Sequence, residues 1–173
     1  MNKTDDYYIG KIEALKQKEF ININMGTGYD ELLEFIEQSK WEVFGTLTFK
    51  HRQTYEQAEK TLNHFWNCID RKFYSNASYR KNIRTKRVNV IQLGFNKGSK
   101  RQNTHIHFVA KTVDDVSTND FIDIINQVWK TKVATAGLYQ IEEIKHTNAT
   151  SKYLLHEFST LGTDTLATTS TNI

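Results

Sequence analysis

The run Thr104-His105-Ile106-His107-Phe108-Val109 has the residue types and spacing from which chemistry is most readily read. On a strand, residues two apart share a face and lie roughly 6.6 Å apart along the chain, so His105 and His107 project together while Ile106 and Phe108 face the other side. Two imidazoles placed in this way can bind one divalent cation, each through one ring nitrogen, with a third ligand from a neighbouring strand or helix. The preceding strand-like run offers Gln92 as an oxygen donor. Carboxylates farther along the chain are alternatives: Glu142 and Glu143 on the next strand-like run, or Glu157 on the last helical one. A set of two histidines and glutamine leaves the cation its full double charge, which polarises a phosphate more strongly but holds the metal less tightly than a set with glutamate. The plainer reading is a pair of surface histidines on an exposed strand; the apolar flanks and the basic surroundings count against it.

A second candidate is Ser151-Lys152-Tyr153-Leu154-Leu155-His156-Glu157-Phe158. Helical spacing puts Tyr153, His156 and Glu157 on one face and Leu155 and Phe158 near another. A tyrosine hydroxyl has an unperturbed pKa near ~10, so nucleophilic work by Tyr153 needs a nearby metal or cation, and the leaving oxygen needs an acid. Lys152 and His156 supply cationic groups at this spacing. Taken alone, the segment also fits an amphipathic core helix with a tyrosine at its edge.

Both candidates belong to a chain of uneven charge. Its 173 residues hold 23 Lys+Arg and 20 Asp+Glu, a formal charge of +3. Between Arg71 and Val113, however, there is no acidic residue and there are eleven basic ones: Arg71, Lys72, Arg80, Lys81, Arg84, Lys86, Arg87, Lys97, Lys100, Arg101 and Lys111. Such a basic island points to a polyanionic partner. It also contains His105, His107 and Gln92, so the positive field and the candidate cation site are expected to converge on one place.

The elements that must position these residues follow from hydrophobic period. Residues 29–39 carry Leu32, Leu33, Phe35 and Ile36 at helical spacing. Trp41 to Lys50 changes to period two and reads as a central strand. Thr54 and Gln57 form a capping-box pattern opening a helix to Tyr74, with Ala58, Leu62, Phe65, Trp66, Ile69 and Phe73 as its apolar stripe. Residues 87–95 and 103–111 are two strands joined by a short polar link, the pattern of a hairpin. A helix over Ser117 to Lys130 with Phe121, Ile124, Ile125, Val128 and Trp129 inward, a strand over Gly137 to Ile144, and a short helix over Asn148 to Phe158 complete the order. The expectation is an α+β domain, an antiparallel central sheet flanked by helices in a ferredoxin-like or RRM-like arrangement. Residues 1–40 read as an N-terminal helical arm packed on a domain at 41–158. Residues 159–173 are a Ser/Thr-rich tail, expected to be flexible.

The motifs FGTLTF at Phe44 to Phe49, HIH at His105 to His107 and SKYLLHE at Ser151 to Glu157 occur in the order and rough spacing of a known family. Over Trp41 to about Phe158 the chain resembles the single-tyrosine HUH endonucleases, the Rep-type initiators of rolling-circle replication. The resemblance implies an RRM-like HUH fold with the histidines on a central strand. His105 and His107 would ligate Mg²⁺ or Mn²⁺ with Gln92 as third ligand, and Tyr153 would be the nucleophile that nicks single-stranded DNA through a 5′-phosphotyrosine. It further implies a plasmid or phage replication origin as substrate, often a hairpin, and a host helicase as a further partner. The DNA-contacting cations would be Arg80, Lys81, Arg84, Lys86, Arg87, Lys97, Lys100 and Arg101. Many Rep-type members carry glutamate where Gln92 stands and lysine where His156 stands, which leaves the accessory cationic group as His156 or Lys152. A HUH transposase acting on other DNA, or a non-catalytic RRM-like nucleic-acid-binding module, would use many of the same residues.

Other classes are excluded. A single cysteine, Cys68, rules out an internal disulfide and a cysteine-built zinc site. No stretch approaches the ~20 apolar residues of a membrane span, so a cytoplasmic protein with no membrane partner is expected. Gly94-Phe95-Asn96-Lys97-Gly98-Ser99-Lys100 lacks the spacing, the Gly-Lys-Ser order and the following helix of a phosphate loop.

Overall fold

In a computed structural model of the chain, which describes residues 29–92, 104–155, 167 and 171–173, the changes of period become α1 (Tyr29–Gln38), β1 (Val43–Phe49), α2 (Tyr55–Tyr74), α3 (Ala77–Arg80), β2 (Arg87–Gln92), β3 (His105–Ala110), α4 (Thr118–Lys132), β4 (Ala136–Glu143) and α5 (Thr147–Leu154). The capping box closes at α2 as its sequence requires: the Thr54 side chain accepts from the Gln57 amide, and the Gln57 side chain accepts from the Thr54 amide. Ser117 caps α4 in the same way through the Asp120 amide. The four-residue helix α3, between α2 and β2, has no apolar period, and hydrophobic patterning assigns no element to this basic stretch.

The strands form one antiparallel sheet in the order β2-β3-β1-β4, which places β1 and β3 at its centre. With α2 and α4 in the two crossovers, this is an α+β fold of the ferredoxin-like, RRM-like type. Both faces of the sheet are used. Val43, Leu47, Phe49, Ile106, Phe108 and Ala110 point to one face and pack on Ala58, Leu62, Phe65, Trp66 and Ile69 of α2 and on Phe121, Ile125, Val128 and Trp129 of α4. Of the two stripes expected, only Phe73 and Ile124 are partly buried rather than buried. The second face is covered at one end, where Val88, Val90 and Val109 meet Ile36 of α1, Trp41, Leu154 of α5 and Leu155.

Two features tighten the arrangement. Gly45 lies opposite Phe108, and a Cβ at that position would sit 2.1 Å from the Phe108 ring. The glycine therefore makes room for an aromatic side chain crossing from the neighbouring strand. β2 stands at the edge of the sheet yet is buried along its whole length. Described residues of the Ser/Thr-rich tail lie along it: Asn172 exchanges backbone hydrogen bonds with Arg87 at 2.6 and 2.8 Å, and the Ala167 amide donates to the Asn89 carbonyl at 3.0 Å. Covering an edge in this way removes a template for unwanted pairing. No helix among the described residues is long and apolar enough to cross a membrane.

Candidate functional site

Period two on β3 sends Ile106 and Phe108 into the core below the sheet and turns His105 and His107 to the opposite face. The register then decides their neighbours. Antiparallel partners share a face, so His107 lies between Val90 of β2 and Thr46 of β1, while His105 lies between Gln92 and Thr48. The two imidazole rings are 5.0 Å apart, edge to face. His107 is buried, with Nδ1 2.9 Å from Thr46 Oγ1 and Nε2 3.0 Å from Gln92 Oε1. His105 is half-buried.

α5 brings the tyrosine. Leu154 and, just beyond the helix, Leu155 are fully buried in the second core, which leaves Tyr153 directed over the sheet. Its ring meets the edge of His107 at 5.1 Å and that of Phe44 at 5.7 Å, while Phe44 stacks on His107 at 5.7 Å. Tyr153 is 56% exposed, so the same side chain contacts the histidine and presents surface to solvent. The segment packs as a core helix and sets a tyrosine beside the histidine pair. Lys152 is exposed next to it. His156 and Glu157 lie outside the described residues, as does the end of the helix expected to reach Phe158.

Two imidazoles and one amide oxygen on one face are donors that a single divalent cation can share. Two ligands at about 2.1 Å on adjacent octahedral positions stand roughly 3.0 Å apart, the separation of His107 Nε2 and Gln92 Oε1. Register disposes of one alternative acid and distances the other. Glu143 pairs with Val43 on the helix-covered face, away from the histidines. Glu142 shares their face but lies on β4, across β1 from the histidine strand, in the row of Phe44 rather than that of His107. Among the described residues no three His, Cys, Asp or Glu side chains gather into a possible cation site. Of the third ligands described, Gln92 is the one that the fold places against a histidine.

The described part of the basic island divides. Arg87 is a correction: grouped by sequence with the phosphate-facing cations, it is 2% exposed and turns to the helix side of the sheet. There its Nη1 donates to both Asp70 oxygens at 3.0 Å, and its guanidinium stacks 4.7 Å from the Trp66 ring. Burial pulls its pKa down to about 10, against the pull of Asp70 the other way. Period two predicts this direction, since Arg87, Asn89 and Ile91 alternate with Val88, Val90 and Gln92 on β2. Arg80, Lys81 and Lys86 are exposed and Arg84 is partly so. They precede β2 at Arg87, which is three residues from Val90 in the row of His107 and five from Gln92 in the row of His105, so at about 3.3 Å per residue the start of the strand stands roughly 10–17 Å along the sheet from the two histidines. Lys97, Lys100 and Arg101 lie outside the described residues.

Thr46 and Phe44 are the site residues that sequence reasoning missed. The alternation of FGTLTF puts Phe44, Thr46 and Thr48 on one face, but only the pairing of β1 with β3 shows that this face meets the histidines. Comparisons with protein families, with curated proteins and with solved structures find no match to the chain.

Proposed function

We propose that the protein is a metal-dependent, single-tyrosine HUH-type endonuclease and strand transferase acting on single-stranded or hairpin DNA, with a plasmid or phage replication origin as the substrate the motifs imply. The observation that carries the reading is the meeting of Tyr153 with His107, beside His105 and Gln92, on one face of the sheet. Three segments far apart in sequence supply these groups, and their types are those of one chemistry: an oxygen nucleophile, two imidazole ligands and a neutral amide ligand.

Tyr153 Oη attacks the phosphorus of the scissile phosphodiester and loses its proton; the P–O3′ bond breaks and the leaving 3′ oxygen takes up a proton. The 5′-phosphate remains on the tyrosine, so a later 3′-hydroxyl can reverse the step and join strands without a nucleotide cofactor. Lys152, exposed one residue before the nucleophile, is the cationic group that the helix offers to the phosphate. His105, His107 and Gln92 would hold Mg²⁺ or Mn²⁺, which when bound withdraws charge from the phosphate oxygens. Arg80, Lys81, Arg84 and Lys86 contact phosphates away from the cleavage point, and Tyr79, 85% exposed among them, offers a ring for stacking on an unpaired base. A host helicase, unwinding the duplex ahead of the extended 3′ end, is the partner that this reading implies.

The test uses 3′-labelled hairpin oligonucleotides with Mn²⁺. The wild-type chain is expected to form a labelled covalent adduct resistant to denaturation, and Tyr153→Phe to form none while still binding the strand. An adduct that persists in Tyr153→Phe removes the tyrosine from the mechanism.

A second reading is a non-catalytic RRM-like nucleic-acid-binding module. It is favoured by the partners found at both ring nitrogens of His107, which make that histidine competent as a structural residue. This reading requires binding without cleavage, and His105→Ala without consequence.

A further inference from the structure

The second face of the sheet is open at its His105 end, and the structure has a built irregularity there. β1 pairs Leu47 with Tyr139 and Phe49 with Ala136, so three steps along β4 match two along β1, and Gly137 and Leu138 form a bulge opposite Thr48. Thr48 Oγ1 donates to the Leu138 carbonyl at 2.8 Å. Gly137 lies so close to β1 that a Cβ would come within 2.7 Å of Thr48 Oγ1 and 2.8 Å of the Phe49 carbonyl carbon. The bulge is therefore fixed by a hydroxyl and by a position that admits only glycine. It turns Leu138 outward to 82% exposure, away from either core.

Beside this bulge is a recess of about 780 Å³, bounded by Phe49, Lys50, His105, Ala136 and Leu138 as well as the bulge itself. That volume falls within the roughly 300–1,000 Å³ of small-ligand sites. Its wall is mostly apolar, Lys50 stands at its rim, and it has no carboxylate in its lining. His105 belongs both to this wall and to the candidate metal site. A ligand that suits the recess therefore combines a flat or apolar body with a negative charge and extends towards the histidines.

We propose that this recess is a nucleotide subsite: it takes one unpaired nucleotide of the substrate strand next to the scissile phosphate, the base lying against Leu138 at the bulge and a phosphate meeting Lys50. The inference rests on the nuclease reading and adds to it a place for the base, made by an edge strand rather than by the basic island. Base contacts of this kind tolerate sequence, whereas the cation sets the strand's register.

The experiment uses the full chain and a fluorescein-labelled oligothymidylate decamer, with backbone-amide NMR of the labelled protein. Addition of unlabelled decamer is expected to shift the amides of Thr48, Lys50, Gly137 and Leu138. Leu138→Ser and Lys50→Ala, each with unchanged thermal unfolding, are expected to weaken decamer binding roughly tenfold and roughly threefold, respectively. If the decamer binds and Mn²⁺-dependent adduct formation on hairpin DNA proceeds, yet those amides do not shift and Leu138→Ser binds as wild type, the subsite is wrong and the nuclease reading stands. If neither the decamer nor hairpin DNA binds or is cut, the nuclease reading fails and the subsite fails with it.

Discussion

His107 has two ring nitrogens with different tasks, and Thr46 can serve both states of the ring. For Nε2 to offer its lone pair to a cation, the proton must sit on Nδ1, and Thr46 Oγ1, 2.9 Å away, is then its acceptor. Without the cation, Nε2–H can donate to Gln92 Oε1 while the threonine hydroxyl donates to Nδ1. Removing the hydroxyl while keeping the branched shape should therefore lower the affinity for Mn²⁺, by about 10-fold on the pattern of such outer partners. Thr46→Val titrated calorimetrically should show that loss, and Thr46→Ser should restore most of it; equal affinities in all three chains would take Thr46 out of the site. Arg87 illustrates the opposite outcome, a cation used up by the fold. Removing one partner of a buried pair leaves the other charge stranded, so Arg87→Met should cost on the order of 3–5 kcal/mol in chemical denaturation. It should leave the salt dependence of DNA binding as it was, since the guanidinium does not reach the surface.

At the scale of elements, close approach is what the strands depend on, and Gly45 is the tightest point. Gly45→Ala must push the Phe108 ring, which lies between β1 and Trp66 with ring centroids 5.2 Å apart, and overpacking of this sort costs about 1–3 kcal/mol. A fall in the thermal midpoint, with metal affinity falling too as β3 shifts, is the expected result; an unchanged midpoint would show that the sheet yields there without strain. Much of this level was legible in the sequence because it is written in periods. The α2 stripe, its capping box and the two-residue alternation around His105 and His107 each follow from local geometry. The partners of the histidines were less legible, because register is a property of two strands. Nothing within FGTLTF says that Thr46 faces His107, and nothing within the last strand says that the chain reaches Ala136 through a bulge that frees Leu138. Gln92 was readable as a donor by type and by resemblance, but its contact with His107, and the turning of Glu143 to the other face, are set by pairing.

Across the whole molecule, the sheet itself separates two functions that the linear charge pattern joins. The candidate cleavage site lies in the rows of His107 and His105, opposite Val90 and Gln92, whereas Arg80, Lys81 and Lys86 precede Arg87, roughly 10–17 Å away by strand rise. At about 3.4 Å per stacked nucleotide, roughly three to five nucleotides are needed to touch both. Binding should therefore have two regimes. An oligothymidylate of two residues is too short to reach from the histidines to these cations, so Arg80→Ala/Lys81→Ala should leave its affinity for the site unchanged. A strand of twelve residues spans both, and the same double variant should weaken it and flatten the dependence of log Kd on log salt by about 0.7 for each phosphate that is no longer neutralised. Fluorescence titrations at several salt concentrations measure both quantities. Equal weakening on the short and long strands would mean that Arg80 and Lys81 act on the site from a distance, and the division of the sheet into a cutting end and a holding end would have to be abandoned.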